Sequence, residues 1–234
     1  MCALEKNMKI IALCGFKESG KTTTFKYVQK LAEEKGLTAR EVSFANRLKE
    51  VCSQTFCVPR SHFDDQSIKE VPFNSPKILG KDEVVNILEA YNMDKRVEGH
   101  VLAKFIRDFK PVELKHPRAI AQFVGTELLR SLRDDIHCET LKDIMNEQSR
   151  EVDVFVITDC RFLNELEYFK NEDTFSSFFI HRISAYESFI NQFDAGESHP
   201  SEIETLKLIP KCKILDNNGN LDNYMDILSK KINL

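Results

Sequence analysis

One stretch, Gly15-Phe16-Lys17-Glu18-Ser19-Gly20-Lys21-Thr22, constrains this chain more than any other. It is a complete G-x-x-x-x-G-K-[ST] pattern. Its glycines let backbone N–H groups close around phosphate oxygens, and a helix that follows adds a partial positive charge at its N-terminus. The flanks agree with this reading. Ile10, Ile11, Ala12, Leu13 and Cys14 form an apolar run that reads as a buried strand. Phe25, Val28, Leu31 and Ala32 recur at helical spacing, and Gly36 is a fitting helix stop. The competing reading, a chance glycine-rich turn before a helix, does not require that preceding strand. Gly15, Ser19, Gly20, Lys21 and Thr22 are therefore candidate phosphate-binding residues. In this chemistry Lys21 reaches the outer phosphates and the Thr22 hydroxyl ligates Mg²⁺.

Composition narrows the class. With 234 residues, 42% hydrophobic and 30% charged, the chain suits one α/β domain carrying an insertion. A net charge of -4 gives no electrostatic case for nucleic acid as a partner. No apolar run approaches the roughly 20 residues of a membrane span, and Met1 to Met8 lacks the apolar segment of a secretion signal. Seven cysteines are an odd number, scattered along the chain, and the nearest pair, Cys52 and Cys57, has no zinc spacing. They read as reduced thiols in a cytoplasmic protein.

Taken in order, the first strand, loop and helix cover about residues 8 to 35. Arg40 to Ala45 reads as a second strand, with a helix opening at Ala45 and running through Val51 and Phe56. Residues 58 to 80, with Pro59, Pro72, Pro76 and Gly80, read as loop. Helical patterns follow at Val84 to Tyr91 and at Val101 to Phe109, and no strand-like run is evident between Ala45 and Arg150. A largely helical insertion, 58–115, thus interrupts the alternating pattern of a single domain, 1–234. In a phosphotransferase it is the natural place for a second substrate; packing elaboration is the plainer alternative. A helix is expected from Pro117 to Arg133, where the interior Gly125 before Thr126 hints at close approach by something flat or small, and another from 137 to 148.

Val152 to Asp159 is a core strand ending in an aspartate. Beside a phosphate loop that pattern supplies a Mg²⁺-linked carboxylate, although aspartate also caps helices. Arg161 either reaches transferring phosphates or forms a surface ion pair. Ser177 to His181 and Lys213 to Leu215 are further strands, Ser198 to Glu202 is a polar turn opening a short helix, and Leu221 to Ile232 is a closing helix. The expected fold is α/β, a P-loop NTPase-type three-layer architecture. It has about five parallel strands, helices on both faces and the helical insertion.

Beyond the loop, Phe44-Ala45-Asn46-Arg47-Leu48-Lys49, Pro117 to Leu128, Thr158-Asp159-Cys160-Arg161-Phe162-Leu163-Asn164-Glu165, Ser198 to Glu202 and Ile214 to Gly219 carry a wider likeness. With Gly15 to Thr23, these stretches make the chain resemble the bacteriophage deoxynucleoside monophosphate kinases. The likeness spans most of the chain in the same order; residues 58 to 110 match poorly. The resemblance implies transfer of the ATP γ-phosphate to a deoxynucleoside monophosphate with Mg²⁺. By position, Gly20, Lys21, Thr22 and Thr23 hold the ATP phosphates, and Lys17 also faces the acceptor phosphate. Leu48, Lys49, Arg118, Gln122, Gly125 and Thr126 form the acceptor site. Asp159, Arg161 and Glu165 match the segment at the catalytic edge. Some relatives carry aromatic residues where this chain has His137-Cys138, which bears on base selectivity. A homodimer and a phage-encoded protein acting in the host cytoplasm are further implications.

Phosphoryl transfer needs two anions held in line and their charge neutralised. Lys17, Lys21 and Arg161 are the cations at hand. Arg130 and Arg133 are candidates for a closing lid, or solvated helix-end charges. Two other classes share the loop: a nucleotide-dependent switch, for which the chain lacks an N-K-x-D base-reading segment, and a kinase of another small acceptor.

Overall fold

The structure, a computed structural model, describes residues 8–196 and 200–234. The expectations for Met1 to Asn7 and for Ser198 and His199 lie outside the described residues.

The first element among the described residues is β1 (Lys9–Cys14), buried over nearly its whole length, which turns through the glycine loop into α1 (Lys21–Glu34). The helix stops where expected. Gly36 takes a left-handed φ of +69°, and the amides of Gly36 and Leu37 return to Glu33 and Ala32 carbonyls at 3.0 and 2.9 Å. Then come β2 (Ala39–Val42), α2 (Phe44–Phe56) and α3 (Ser61–Asp64). A short strand, β3 (Lys77–Leu79), leads into α4 (Lys81–Ala90), where the Glu83 carboxylate accepts from the Gly80 amide at 2.9 Å. Next are α5 (Gly99–Asp108), β4 (Val112–Leu114) and α6 (Pro117–Gln122), whose first turn is capped by His116 Nδ1 accepting from the Ala119 amide at 3.1 Å. The backbone then widens into a π-helix, Phe123–Arg130, before α7 (Ile136–Gln148). The remaining elements are β5 (Val154–Cys160), α8 (Leu163–Phe169), β6 (Phe175–His181), α9 (Ile183–Asp194) and α10 (Pro200–Thr205). A 3₁₀ turn (Leu206–Lys211) then leads to β7 (Lys213–Asp216) and α11 (Leu221–Lys231).

By contacts the chain divides into two compact units: residues up to Phe44 together with those from Leu141 onward, and Ala45–Thr140. The first holds a five-stranded sheet in the order β2-β5-β1-β6-β7, every pairing parallel. A parallel sheet covered on both faces needs strands apolar at successive positions, and β1 and β5 meet that demand. On one face Ile11, Leu13, Val154, Val156, Phe178 and Leu215 pack with Val28 of α1 and with Tyr224 and Leu228 of α11. The Thr24 hydroxyl and Tyr224 phenol, both buried, meet at 2.6 Å and join the first helix to the last. On the other face Phe179 of β6 belongs to an aromatic group. Phe16 stacks on Phe189 of α9 at 4.6 Å and meets Phe179 of β6 edge-on at 5.9 Å. The strand order leaves β1 between β5 and β6, so the glycine loop lies at the carboxyl edge of the sheet, where such folds bind ligands.

The second unit has its own core, in which Val51, Phe56, Leu79, Ile87, Tyr91, Ile120 and Leu128 are buried together. It contains the 58–115 segment. Two sequence expectations change here. The stretch read as free of strands holds the antiparallel pair β3–β4, with Ile78 opposite Glu113. At three residues each, these strands are too short to show alternation. The single helix expected from Pro117 to Arg133 is α6 followed by the π-helical turn. No helix among the described residues is long and apolar enough to cross a membrane.

Candidate functional site

The loop's shape follows from its glycines. Gly15 has φ +143°, and a Cβ there would lie 2.7 Å from Ser19 Oγ and 3.0 Å from the Ile180 carbonyl. Gly20 has φ +109°, and a Cβ there would run into the Asn217 amide. The Ser19 amide turns back to the Phe16 carbonyl at 3.2 Å, and Thr24 donates through both its amide and its hydroxyl to the Gly20 carbonyl at 2.9 and 3.0 Å. Lys21 lies along the loop, its Nζ donating to the Gly15 and Phe16 carbonyls at 2.8 Å each. Ser19 is 1% exposed, and among the described residues its hydroxyl has no hydrogen-bond partner. An unsatisfied buried hydroxyl costs about 1–3 kcal/mol, a cost that an oxygen-rich anion seated in the loop would remove. Gly15, Ser19, Gly20 and Lys21 thus form a cradle that fits a phosphate. Thr22 is exposed on the first turn of α1, and Thr23 is half-buried.

Burial lowers the Lys21 pKa to about 8, and the Arg161 charge pushes in the same direction, against Cys14, Asp159 and Glu202. Lys21 therefore feels two of the three catalytic-edge residues named from the sequence, Asp159 and Arg161. Asp159 ends β5 with both oxygens engaged. Oδ2 accepts from the Ser43 hydroxyl at 2.7 Å and Oδ1 from the Phe44 amide at 2.9 Å, so the carboxylate anchors the entry to α2. Glu165 is buried, its Oε2 accepting from the Arg161 and Phe162 amides at 2.8 and 3.1 Å. It shapes the turn that presents Arg161. Lys17 is exposed, 3.9 Å from Glu18, an ion pair of little energetic weight. Thr22 and Asp159 supply hard oxygen donors, the chemistry Mg²⁺ takes. Among the described residues no group of three or more His, Cys, Asp or Glu side chains could hold a metal ion.

The lowered Lys21 pKa has a pH signature. Below about 8 the ammonium is charged and attracts phosphate; above it the charge is lost. A bound triphosphate favours the charged form, so binding is expected to take up a proton and to weaken as pH rises from about 7 to about 9.5. Calorimetric titration with ATP in buffers of different ionisation enthalpy measures this; proton uptake near pH 8 that is lost in Lys21→Met is the expected outcome.

In the second unit the residues assigned to an acceptor occupy several elements. Lys49 of α2 pairs with Asp64 at 2.9 Å, and Arg118 of α6 pairs with Glu70 at 2.5 Å. Gln122 is half-buried, and Thr126 is exposed on the π-helix. Gly125 is buried, and the close approach its position suggested is made by the protein itself. A Cβ there would come within 2.7 Å of Leu48 Cδ2, and His137 Nε2 meets the Gly125 carbonyl at 3.2 Å. Gly125→Ala is therefore expected to lower the melting temperature despite alanine's better helix propensity, and to lose that effect in a Leu48→Ala background. Paired thermal melts check this. Of the two lid candidates, Arg133 is committed elsewhere. It bonds Asp135 at 2.9 Å, the Arg96 carbonyl at 2.7 Å and the Glu139 carboxylate, which also holds Arg96 at 2.7 Å. Arg130 reaches the Asp134 carbonyl at 3.4 Å.

Sequence reasoning missed four supports of the loop and its edge. They are Asn217, whose Nδ2 donates to the Ser19 carbonyl at 2.8 Å, Arg182, which donates to the Glu18 carbonyl at 3.3 Å, Tyr224 and Ser43. Asn217-Asn218-Gly219 reads locally as a turn, and no spacing rule links it to a loop 198 residues earlier.

No family model matches the chain. One curated protein, "Putative deoxynucleotide monophosphate kinase" from Acanthamoeba polyphaga mimivirus, is 27% identical over 236 residues, covering 95% of each chain. Among solved structures, the crystal structure of TT1252 from Thermus thermophilus covers 97% of this chain and 100% of its own at 16% identity. Its TM-score of 0.41 is too low to carry an argument.

Proposed function

We propose that this protein is a kinase that uses ATP and Mg²⁺ to phosphorylate deoxynucleoside 5′-monophosphates to diphosphates. The observation that carries this reading is the glycine loop: a lysine laid along it, an orphaned buried serine hydroxyl within it, and an aspartate and an arginine whose charges act on that lysine. The nearly full-length likeness to a viral protein named for deoxynucleotide monophosphate phosphorylation supports the choice of acceptor.

In this reading the backbone amides of Gly15 to Gly20 and the Lys21 ammonium bind the triphosphate and hold its outer phosphates in place. Mg²⁺, when bound, neutralises part of the triphosphate charge; Thr22 and Asp159 are the oxygen donors that would hold it, directly or through water. Arg161, presented by the turn that Glu165 caps, balances charge on the group in transfer. No side-chain base is required, because an acceptor phosphate is already an anionic nucleophile. Lys49 and Arg118 are assigned to that acceptor anion. Their partners Asp64 and Glu70 are about half exposed, and such pairs are worth at most about 1 kcal/mol, so an anion displaces them at small cost. The six described cysteines are free thiols, in keeping with the cytoplasmic setting we assign.

The test is a coupled ATP-consumption assay against the common deoxy- and ribonucleoside monophosphates. Turnover that requires a deoxynucleoside monophosphate, and reveals which bases are accepted, is the expected result. ATP binding without stimulation by any nucleotide would leave the loop reading intact and remove the acceptor reading.

A further inference from the structure

We propose that Asn217 is a positioning residue for the nucleotide: it sets the direction of a phosphate-binding amide in the glycine loop from the opposite end of the chain. The inference rests on the reading that a nucleotide phosphate sits in that loop.

Asn217 follows β7, the edge strand two places from β1. Its own amide donates to the His181 carbonyl at 2.8 Å, which fixes its backbone to the end of β6. Its side-chain Nδ2 donates to the Ser19 carbonyl at 2.8 Å. In a trans peptide the C=O and the N–H point in opposite directions. Drawing the Ser19 carbonyl toward Asn217 therefore turns the Gly20 N–H of the same peptide away from Asn217. That N–H has no hydrogen-bond acceptor among the described residues. The Gly20 position agrees with this geometry, since at φ +109° a Cβ would collide with Asn217 Nδ2, so the amide occupies the space a side chain would need. The orphaned Ser19 hydroxyl belongs to the residue whose carbonyl is gripped. A peptide with one end tethered and the other unpaired is prepared for an anion, and preparing it in advance spares the nucleotide the cost of ordering it.

Neighbouring Asn218 supplies the contrast. It bonds away from the loop: its Oδ1 accepts from the Ile183 amide at 2.6 Å, and its Nδ2 reaches Asp216 at 2.5 Å and His181 at 3.2 Å. Asn218 holds the turn and the start of α9, whereas Asn217 holds the loop.

The experiment measures ATP dissociation constants by calorimetry and melting temperatures for the full chain and for Asn217→Ala, Asn217→Asp, Asn218→Ala and Lys21→Ala. Asn217→Ala is expected to weaken ATP binding roughly tenfold, as loss of one aligned hydrogen bond would. Asn217→Asp, which keeps the shape but replaces a donor with a negative charge, should weaken it further. In assays the loss should fall on the KM for ATP and leave the KM for the acceptor unchanged. Asn218→Ala should lower the melting temperature and leave ATP affinity in place. Unchanged affinity in both Asn217 variants, or equal losses in the Asn217→Ala and Asn218→Ala proteins, would overturn the proposal. If Asn217→Ala does not fold, the Asn217→Asp titration decides alone. Lys21→Ala separates the two claims: if it also binds ATP normally, the loop reading itself has failed; if it alone loses ATP, only the role of Asn217 has.

Discussion

Lys21→Ala is expected to slow turnover roughly 100- to 1,000-fold while leaving the melting temperature unchanged or higher. The two effects part because Lys21 is costly to the fold and, in the proposed reaction, necessary to the chemistry. Burial lowers its pKa from 10.5 to about 8, so the charged form is less favourable in the folded protein than in the unfolded chain. For a lysine lowered in this way, the unfolded chain holds the extra proton between about pH 8 and 10.5, and stability rises with pH across that window. Below it the folded state carries the whole penalty, relieved in part by the hydrogen bonds to the Gly15 and Phe16 carbonyls. Alanine removes the penalty and the bonds together. It also removes the ammonium that donates to two loop carbonyls, and losing one preorganised donor at a developing charge costs roughly 100- to 1,000-fold in rate. A steady-state assay paired with a thermal melt at neutral pH checks both halves. A large fall in melting temperature would mean that the lysine serves the fold rather than the phosphate.

Asp159→Ala is expected to damage both activity and fold. The carboxylate accepts from the Ser43 hydroxyl and the Phe44 amide, and both donors are partly buried. Leaving such donors unsatisfied costs about 1–3 kcal/mol, so the protein should melt several degrees lower. Its charge also supports the ammonium of Lys21. Asp159→Asn separates these roles, because an amide oxygen can still accept from Phe44 while the charge is gone. The asparagine variant is expected to recover most of the stability and little of the activity. Equal recovery of both would reduce Asp159 to a helix anchor and remove it from the Mg²⁺ assignment.

These two residues also show how far the sequence could be read. The strand Ile10 to Cys14, the loop and the helix behind it were legible because one local pattern demands all three. Buried parallel strands such as β5 announce themselves by unbroken apolar runs, here Val154 to Ile157. The pair β3–β4 did not, being too short for any period to register. The π-helix at Phe123–Arg130 did not, because its apolar stripe is close to that of an α-helix. Gly125 was rightly singled out as a site of close approach, yet the approaching group is Leu48, which sequence cannot place beside it. Arg133 read either as a lid arginine or as a solvated helix-end charge, and only folding brings Arg96 and Glu139 to it. The same holds for Asn217 and Tyr224, whose partners lie about 200 residues away in the chain. Local motifs named the candidate phosphate-binding groups; the groups that brace the loop are assembled by topology.

The most direct test of the central claim follows the γ-phosphate itself. In a single-turnover experiment with γ-labelled ATP, Mg²⁺ and an excess of deoxynucleoside monophosphate, the account expects the label to appear in the deoxynucleoside diphosphate, at a rate set by the acceptor concentration. Label released only as inorganic phosphate, at the same rate with or without the acceptor, would contradict it and make this protein a nucleotide hydrolase or switch.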